Sequence, residues 1–78
     1  MGKKAYKYDK ILCKKFGQKI ALLRKDKNLN QDEMAFQIGI STSYLSAIER
    51  GISDSTISTA KRIAKALDVD MQELFIYD

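Results

Sequence analysis

The sequence predicts an all-α fold in one small domain of 78 residues. Apolar residues recur every three or four positions, which places them on one face of a helix. No segment alternates apolar and polar residues for long, so we expect no β-sheet. The chain has no proline and no linker rich in glycine and serine, and it therefore shows no domain boundary.

The first predicted helix is amphipathic. Four apolar residues at spacings of 4, 4 and 3 share one of its faces: Leu12, Phe16, Ile20 and Leu23. Cys13 lies beside this stripe, which favours a buried thiol over a reactive one. Asn28 fits the end of the helix.

A second, shorter helix is expected to begin after Asn30. Glu33 lies three residues later and completes the capping-box pattern. Met34 and Ile38 should face inward, and Gly39 can adopt the left-handed conformation that ends the helix.

The third helix is expected to follow the cap residue Ser41 and to end at Gly51. We expect Ser41, Leu45 and Ile48 to face the core, with Tyr44 on the flank. The opposite side carries short or polar side chains: Ser43, Ser46, Ala47 and Arg50.

Two more helical segments complete the predicted fold. Thr56 can cap a fourth helix whose apolar residues are Ile57, Ala60, Ile63, Ala64 and Leu67. Asp70 and Glu73 repeat the capping-box pattern before a short fifth helix, Met71–Phe75.

The second and third helices have the spacing of a helix-turn-helix. The turn Gly39-Ile40-Ser41 is short, and Ala35 is small enough to let the helices cross closely. The outward face of the third helix (residues 42–50) carries no long acidic group, so it can enter a DNA major groove about 12 Å wide. Thr42 lies in the first turn, where recognition helices approach the bases.

Phosphate contacts are expected at the starts of these two helices, where free amides and positive dipole ends suit anions. Asn30 and Gln31 can add side-chain donors there, although capping alone would also explain Asn30.

The charge is strongly asymmetric. Residues 1–27 hold ten Lys or Arg against two acidic residues, a net charge of +8, whereas residues 28–78 carry −4. The basic part suggests a polyanionic partner or simply a solubilising surface. Residues 1–8 are interpreted as a mobile basic arm, whose phosphate-binding candidates are Lys3, Lys4 and Lys7.

Several classes of function are disfavoured. The chain has no histidine and one cysteine, so we expect no metal site, no internal disulfide and no histidine-based catalysis. We likewise expect no enzymatic activity, cofactor, small-molecule ligand or membrane insertion. The single cysteine favours a reducing, cytoplasmic location.

Together, these residues resemble the lambda-repressor/Cro-like (XRE) helix-turn-helix family over residues 16–76. The matching features are Arg24 after Ile20 and Leu23, the Leu29-Asn30-Gln31 entry, Glu33, Ala35, Gly39, the Tyr44-Leu45-Ser46 run, Glu49-Arg50-Gly51 and Ala66-Leu67. The length of the chain and its segment Thr-Ser-Tyr-Leu-Ser are similar to those of restriction-modification controller proteins.

The resemblance implies a five-helix, lambda-repressor-like domain, usually a homodimer, that binds a palindromic or paired double-stranded DNA operator. It implies a DNA-facing role for six residues: Gln31, Thr42, Ser43, Tyr44, Ser46 and Ala47. Arg50 joins Asn30 and Gln31 as a candidate phosphate contact. The resemblance also suggests an ion pair between Arg24 and Glu49, since a carboxylate near the inward edge of its helix needs a partner.

Two departures from the family pattern affect specificity. Residues 41–49 contain no Lys, Arg, Asn or Gln, so an arginine contact to guanine must come from Arg50 or the arm, or be absent. We expect DNA shape and dimer spacing to contribute more. Phe36 falls on the outer side of the second helix, either as a partner contact or as an isolated exposed aromatic residue.

The end of the chain is unusually apolar. Part of it should seal the core, and the remainder can form a self-complementary dimer patch: Leu74, Phe75, Ile76 and Tyr77. The main hypothesis is a sequence-specific transcriptional regulator, a repressor or controller. The alternative is a protein-interaction module, such as an antitoxin-type partner of the same fold.

Overall fold

The computed structural model describes residues 8–77, so the predicted contacts of Lys3, Lys4 and Lys7 lie outside the described residues. Within residues 8–77, four α-helices and one 3-10 helix follow in order: α1 (Lys10–Asp26), α2 (Gln31–Ile38), α3 (Thr42–Glu49), α4 (Ile57–Leu67) and the 3-10 helix (Met71–Phe75). No strand occurs between residues 8 and 77, which confirms the all-α expectation for this part of the chain. The fifth element is a 3-10 helix rather than an α-helix.

Side-chain caps begin each of the α-helices. Asn30 accepts a hydrogen bond from the Glu33 amide at 2.8 Å, and the Glu33 carboxylate accepts from the Asn30 amide at 2.9 Å. This reciprocal pair confirms the predicted capping box. Ser41 and Thr56 cap α3 and α4 as expected, and Asp9 caps α1.

The second predicted capping box is wrong. Asp70 makes no side-chain cap to the 3-10 helix that follows it. Glu73 instead forms a salt bridge with Lys19 of α1, at 3.1 Å between Nζ and Oε2. The Glu73 carboxylate thus pairs with a lysine of another helix instead of taking part in a cap of its own helix.

Apolar residues from every helix form one core. Its buried members are Phe16, Ile20, Met34, Ala35, Ile38, Leu45, Ile48, Ala60, Ile63, Ala64, Leu67 and Leu74. Cys13 is also buried, and burial, together with the neighbouring Asp54 carboxylate, raises the pKa of its thiol. The expectation of a buried thiol in α1 is therefore confirmed.

Three predicted core positions are wrong. Leu12 is 44% exposed and Ile57 is 80% exposed, because both lie at the rim of a shallow apolar cleft that is also lined by Phe16 and Phe75. Ser41 is exposed as well, since its hydroxyl caps α3 from outside the core.

One member of the predicted dimer patch is also misplaced. Leu74 is fully buried, so it belongs to the core and cannot meet a second subunit. Phe75 and Ile76 are about half exposed, and Phe75 stacks on Phe16 with ring centroids 5.1 Å apart. Tyr77 is partly buried. Only part of this apolar segment is therefore exposed and able to contact a second subunit.

A glycine allows α1 to pack tightly against α3. A Cβ atom on Gly17 would lie 2.2 Å from the Ile48 carbonyl oxygen and 2.6 Å from that of Glu49. These are backbone atoms, which cannot move aside as a flexible side chain would. The spacing of apolar residues in α1 gives no sign of this requirement.

Gly17→Ala should therefore destabilise the protein by about 1–3 kcal/mol, the usual cost of overpacking a core. Urea denaturation followed by circular dichroism would measure the change in the free energy of unfolding. Gln18→Ala is the matched control, because Gln18 is the exposed neighbour in the same helix. Equal stability of the two variants would contradict the close packing of α1 on α3.

Candidate DNA-binding surface

The connection between α2 and α3 has the geometry of a helix-turn-helix. Gly39 ends α2 in the left-handed conformation, with φ of 75°. The amide of Ile40 donates to the Ala35 carbonyl at 3.0 Å, which closes the end of the helix. Ser41 then caps α3 by accepting from the Tyr44 amide at 3.0 Å. Three residues are enough to join the helices, as predicted.

A buried ion pair holds α3 against α1. The Arg24 guanidinium makes a bidentate contact with Glu49, at 2.7 Å from Nε to Oε2 and 3.0 Å from Nη2 to Oε1. The two side chains are only 9% and 5% exposed. The third arm of Arg24 donates to the Leu29 carbonyl at 2.7 Å. Every charged atom of this pair therefore has a partner, which buried charges require.

The same carboxylate also fixes the start of α2. Gln31 donates from Nε2 to Oε1 of Glu49 at 2.9 Å. The ion pair and this amide form one network that connects α1, α2 and α3. Gln31 was expected to contact DNA phosphate, and its side-chain nitrogen is instead engaged with Glu49 in this structure.

The outer face of α3 is small and polar. Ser43 is exposed, and Thr42, Ser46 and Ala47 are half-buried. Arg50, which is exposed, directly follows the helix as its C-cap. The buried residues of α3 lie on the opposite side: Leu45, Ile48 and Glu49. The helix therefore presents hydroxyl groups and one methyl group to the outside, with no exposed carboxylate among residues 42–49.

Tyr44 differs from the other candidate base-reading residues. It packs against the core, and its hydroxyl donates to the Asp54 carbonyl at 3.3 Å. Its ring supports the loop between α3 and α4 instead of standing on the outward face.

One contact on this surface is not predicted by the sequence pattern. The Thr42 hydroxyl donates to Oδ1 of Asp32 at 2.6 Å and so joins the first turns of α2 and α3. No periodicity pairs two residues ten positions apart across a turn. The feature of the sequence that could have indicated this contact is the position of Asp32 directly after Gln31, at the start of α2.

The remaining candidates have varied surroundings. Asn30 uses its carbonyl oxygen in the cap of α2. Phe36 is 88% exposed, as expected for the outer side of α2.

Among residues 8–77, no cluster of three potential metal ligands occurs. No helix in that range has the length and hydropathy needed to cross a bilayer.

Comparison with known proteins agrees with this geometry. A helix-turn-helix family model matches residues 20–74. Control protein C.BamHI of Bacillus amyloliquefaciens is 37% identical over 60 residues, which cover 76% of this chain and 74% of that protein.

Solved structures are also similar. The restriction-modification controller protein C.AhdI of Aeromonas hydrophila has 38% identity and a TM-score of 0.79, covering 81% of this chain and 96% of that one. The biofilm regulator SinR in complex with DNA has 34% identity and a TM-score of 0.74, covering 78% of this chain and 98% of that one. Since the family model matches more than half of the sequence, the chain belongs to the XRE-like helix-turn-helix family of DNA-binding transcriptional regulators.

Proposed function

We propose that this regulator inserts α3 into the major groove of a symmetric operator and controls transcription as a homodimer. One observation carries the proposal: the outer face of α3 carries short, mostly polar side chains that are exposed or half-buried, while a buried network fixes its backbone. A rigid helix with short side chains approaches base edges closely. The proposed base-facing residues are Thr42, Ser43, Ser46 and Ala47, and Tyr44 supports them.

Phosphate groups are proposed to bind at the edges of this surface. The first turns of α2 and α3 carry free amides and positive dipole ends, which attract phosphate oxygens. Arg50 is exposed at the other end of α3, and the Asn30 side chain is exposed before α2. Gln31 would have to share its amide between Glu49 and a phosphate. Lysines of residues 1–8 are proposed to add sequence-independent affinity.

A second copy is proposed to cover the apolar cleft beside the 3-10 helix. Leu12, Ile57 and Phe75 surround it and are 44%, 80% and 45% exposed, and Ile76 follows at 50%. Contiguous apolar surface on a small protein is costly to leave in water. The similarity to C.BamHI and C.AhdI supports a controller-type regulator.

Selection of bound duplexes from a random pool tests these proposals together. We expect an enriched motif with two-fold symmetry and half-site centres about 34 Å apart, one turn of DNA. The logarithm of the affinity should fall with the logarithm of salt concentration, by about 0.9 per phosphate neutralised. Recovery of no common sequence would contradict the proposed function, and a motif without symmetry would contradict the homodimer.

Phe36 favours the alternative of a protein-interaction module, because a large aromatic side chain that is 88% exposed suits a partner surface. This alternative predicts a tight protein partner and no protected DNA site. An enriched duplex motif would count against it.

A further inference from the structure

The contact between Asp32 and Thr42 lies within the proposed DNA-binding surface. Asp32 is exposed in the first turn of α2, and Thr42 is half-buried in the first turn of α3. The distance from Thr42 Oγ1 to Asp32 Oδ1 is 2.6 Å, which is typical of a hydroxyl bound to a carboxylate. Within residues 8–77, no cation forms a salt bridge with Asp32. Its charge is therefore not neutralised by the described part of the chain.

The direction of this hydrogen bond limits what Thr42 can offer to DNA. A threonine hydroxyl has one proton and two acceptor lone pairs, and an ionised carboxylate only accepts. Thr42 must therefore donate its proton to Asp32. The hydroxyl oxygen and the second carboxylate oxygen then remain, and both are acceptors.

We infer that Asp32 is a specificity-determining residue, because it makes the Asp32–Thr42 pair an acceptor-only contact that selects a base with an amino group in the major groove. Cytosine fits best, since its N4 amino group is a donor and it presents no major-groove acceptor of its own. Guanine and thymine present O6 and O4 acceptors, which an acceptor-only pair repels. The inference rests on the proposed DNA-binding function and deepens it.

The charge of Asp32 supports a role in discrimination over one in affinity. A carboxylate near DNA repels the phosphates and weakens binding to every sequence. Residues that weaken general binding while accepting from one base improve specificity by rejecting the other bases. Stabilisation of the α2 dipole would also explain an acidic residue at this position, and the experiment must separate the two roles.

The test compares duplexes selected by the wild-type protein and by single variants. Thr42→Val removes the hydroxyl at nearly constant volume and so identifies the base pair that Thr42 faces. Asp32→Asn keeps an oxygen that can accept from Thr42 but adds a donor and removes the charge. Asp70→Asn is the matched control, because it removes the same charge from an exposed residue before the 3-10 helix.

We expect cytosine or adenine at the base pair identified by Thr42→Val, with cytosine preferred. Asp32→Asn should lower the preference for it over guanine by about tenfold, the scale of one base contact. The same variant should bind an unrelated duplex more tightly than wild type, whereas Asp70→Asn should leave the preference unchanged. Thr42→Ser, which keeps the hydroxyl, should retain the wild-type preference.

Several results would overturn the inference. One is a base preference that Asp32→Asn leaves unchanged. Another is an effect of Asp32→Asn at a different base pair from that of Thr42→Val. The third is selection of guanine or thymine by the wild-type protein at the base pair that Thr42→Val identifies. A thermal melting curve shows whether each variant remains folded, so a mere loss of helix stability is visible. If wild type selects no sequence, the proposed function fails as well. If it selects one that Asp32→Asn leaves unaltered, only this inference fails.

Discussion

Replacing Glu49 with alanine should lower the free energy of unfolding by about 3–5 kcal/mol, the cost of breaking a buried ion pair. The substitution leaves Arg24 buried beneath α3 without its carboxylate partner, and two hydrogen bonds are lost with it. Gln31 loses its acceptor in the same step. Chemical denaturation followed by circular dichroism would measure the loss. An unfolded Glu49→Ala variant would agree with the upper end of this range.

The chain offers a matched control in its other described salt bridge. Glu73 contacts Lys19 at 3.1 Å, but its side chain is 40% exposed and well solvated. Glu73→Ala should therefore cost about 1 kcal/mol or less, because exposed ion pairs contribute little. Glu49→Gln keeps the volume and one acceptor, so its stability should fall between wild type and Glu49→Ala. Similar losses for Glu49→Ala and Glu73→Ala would show that the buried network does not stabilise the fold.

Ser43→Glu should lower affinity for the selected operator by at least about a hundredfold, the scale of an unpaired charge at an interface. Ser43 is exposed on the outer face of α3, so the new carboxylate would enter the groove between two rows of phosphates. The fold should be unaffected, because Ser43 is no part of the core. Ser46 and Ala47 are half-buried, and glutamate there would disturb packing as well as binding.

Fluorescence anisotropy with the selected duplex would measure the effect of Ser43→Glu. Gln72→Glu is the control, because it adds the same charge to an exposed residue of the 3-10 helix. That variant should bind with nearly wild-type affinity. Equal affinity of Ser43→Glu and Gln72→Glu would mean that α3 does not face DNA through this side.

Local features of the fold could be predicted from sequence because they depend on neighbouring residues alone. The cap of Asn30 and Glu33 involves one helical turn, and Gly39 ends α2 through its own backbone freedom. The outer face of α3 in the candidate DNA-binding surface was likewise predicted from the spacing of neighbouring residues. The Asn30 cap and the Gly39 turn define where α2 begins and ends.

Periodicity was less informative about how far the core extends. It identified the correct face of α1, yet Leu12 in α1 and Ile57 in α4 line an open apolar cleft and remain exposed. Leu74 is the reverse case, an apolar residue near the chain end that packs fully into the core. The spacing of residues specifies a direction on a helix, whereas burial depends on which element lies opposite.

By itself, the sequence determined the four α-helices, the caps of α2, α3 and α4, the turn between α2 and α3 and the polar face of α3, since all of these follow from contacts within a few residues. Tertiary structure decided the rest: the close packing at Gly17, the Gln31 amide held by Glu49, and the Thr42 proton given to Asp32. Each of these joins residues from different helices. Their distances depend on how the helices pack, which no local pattern encodes.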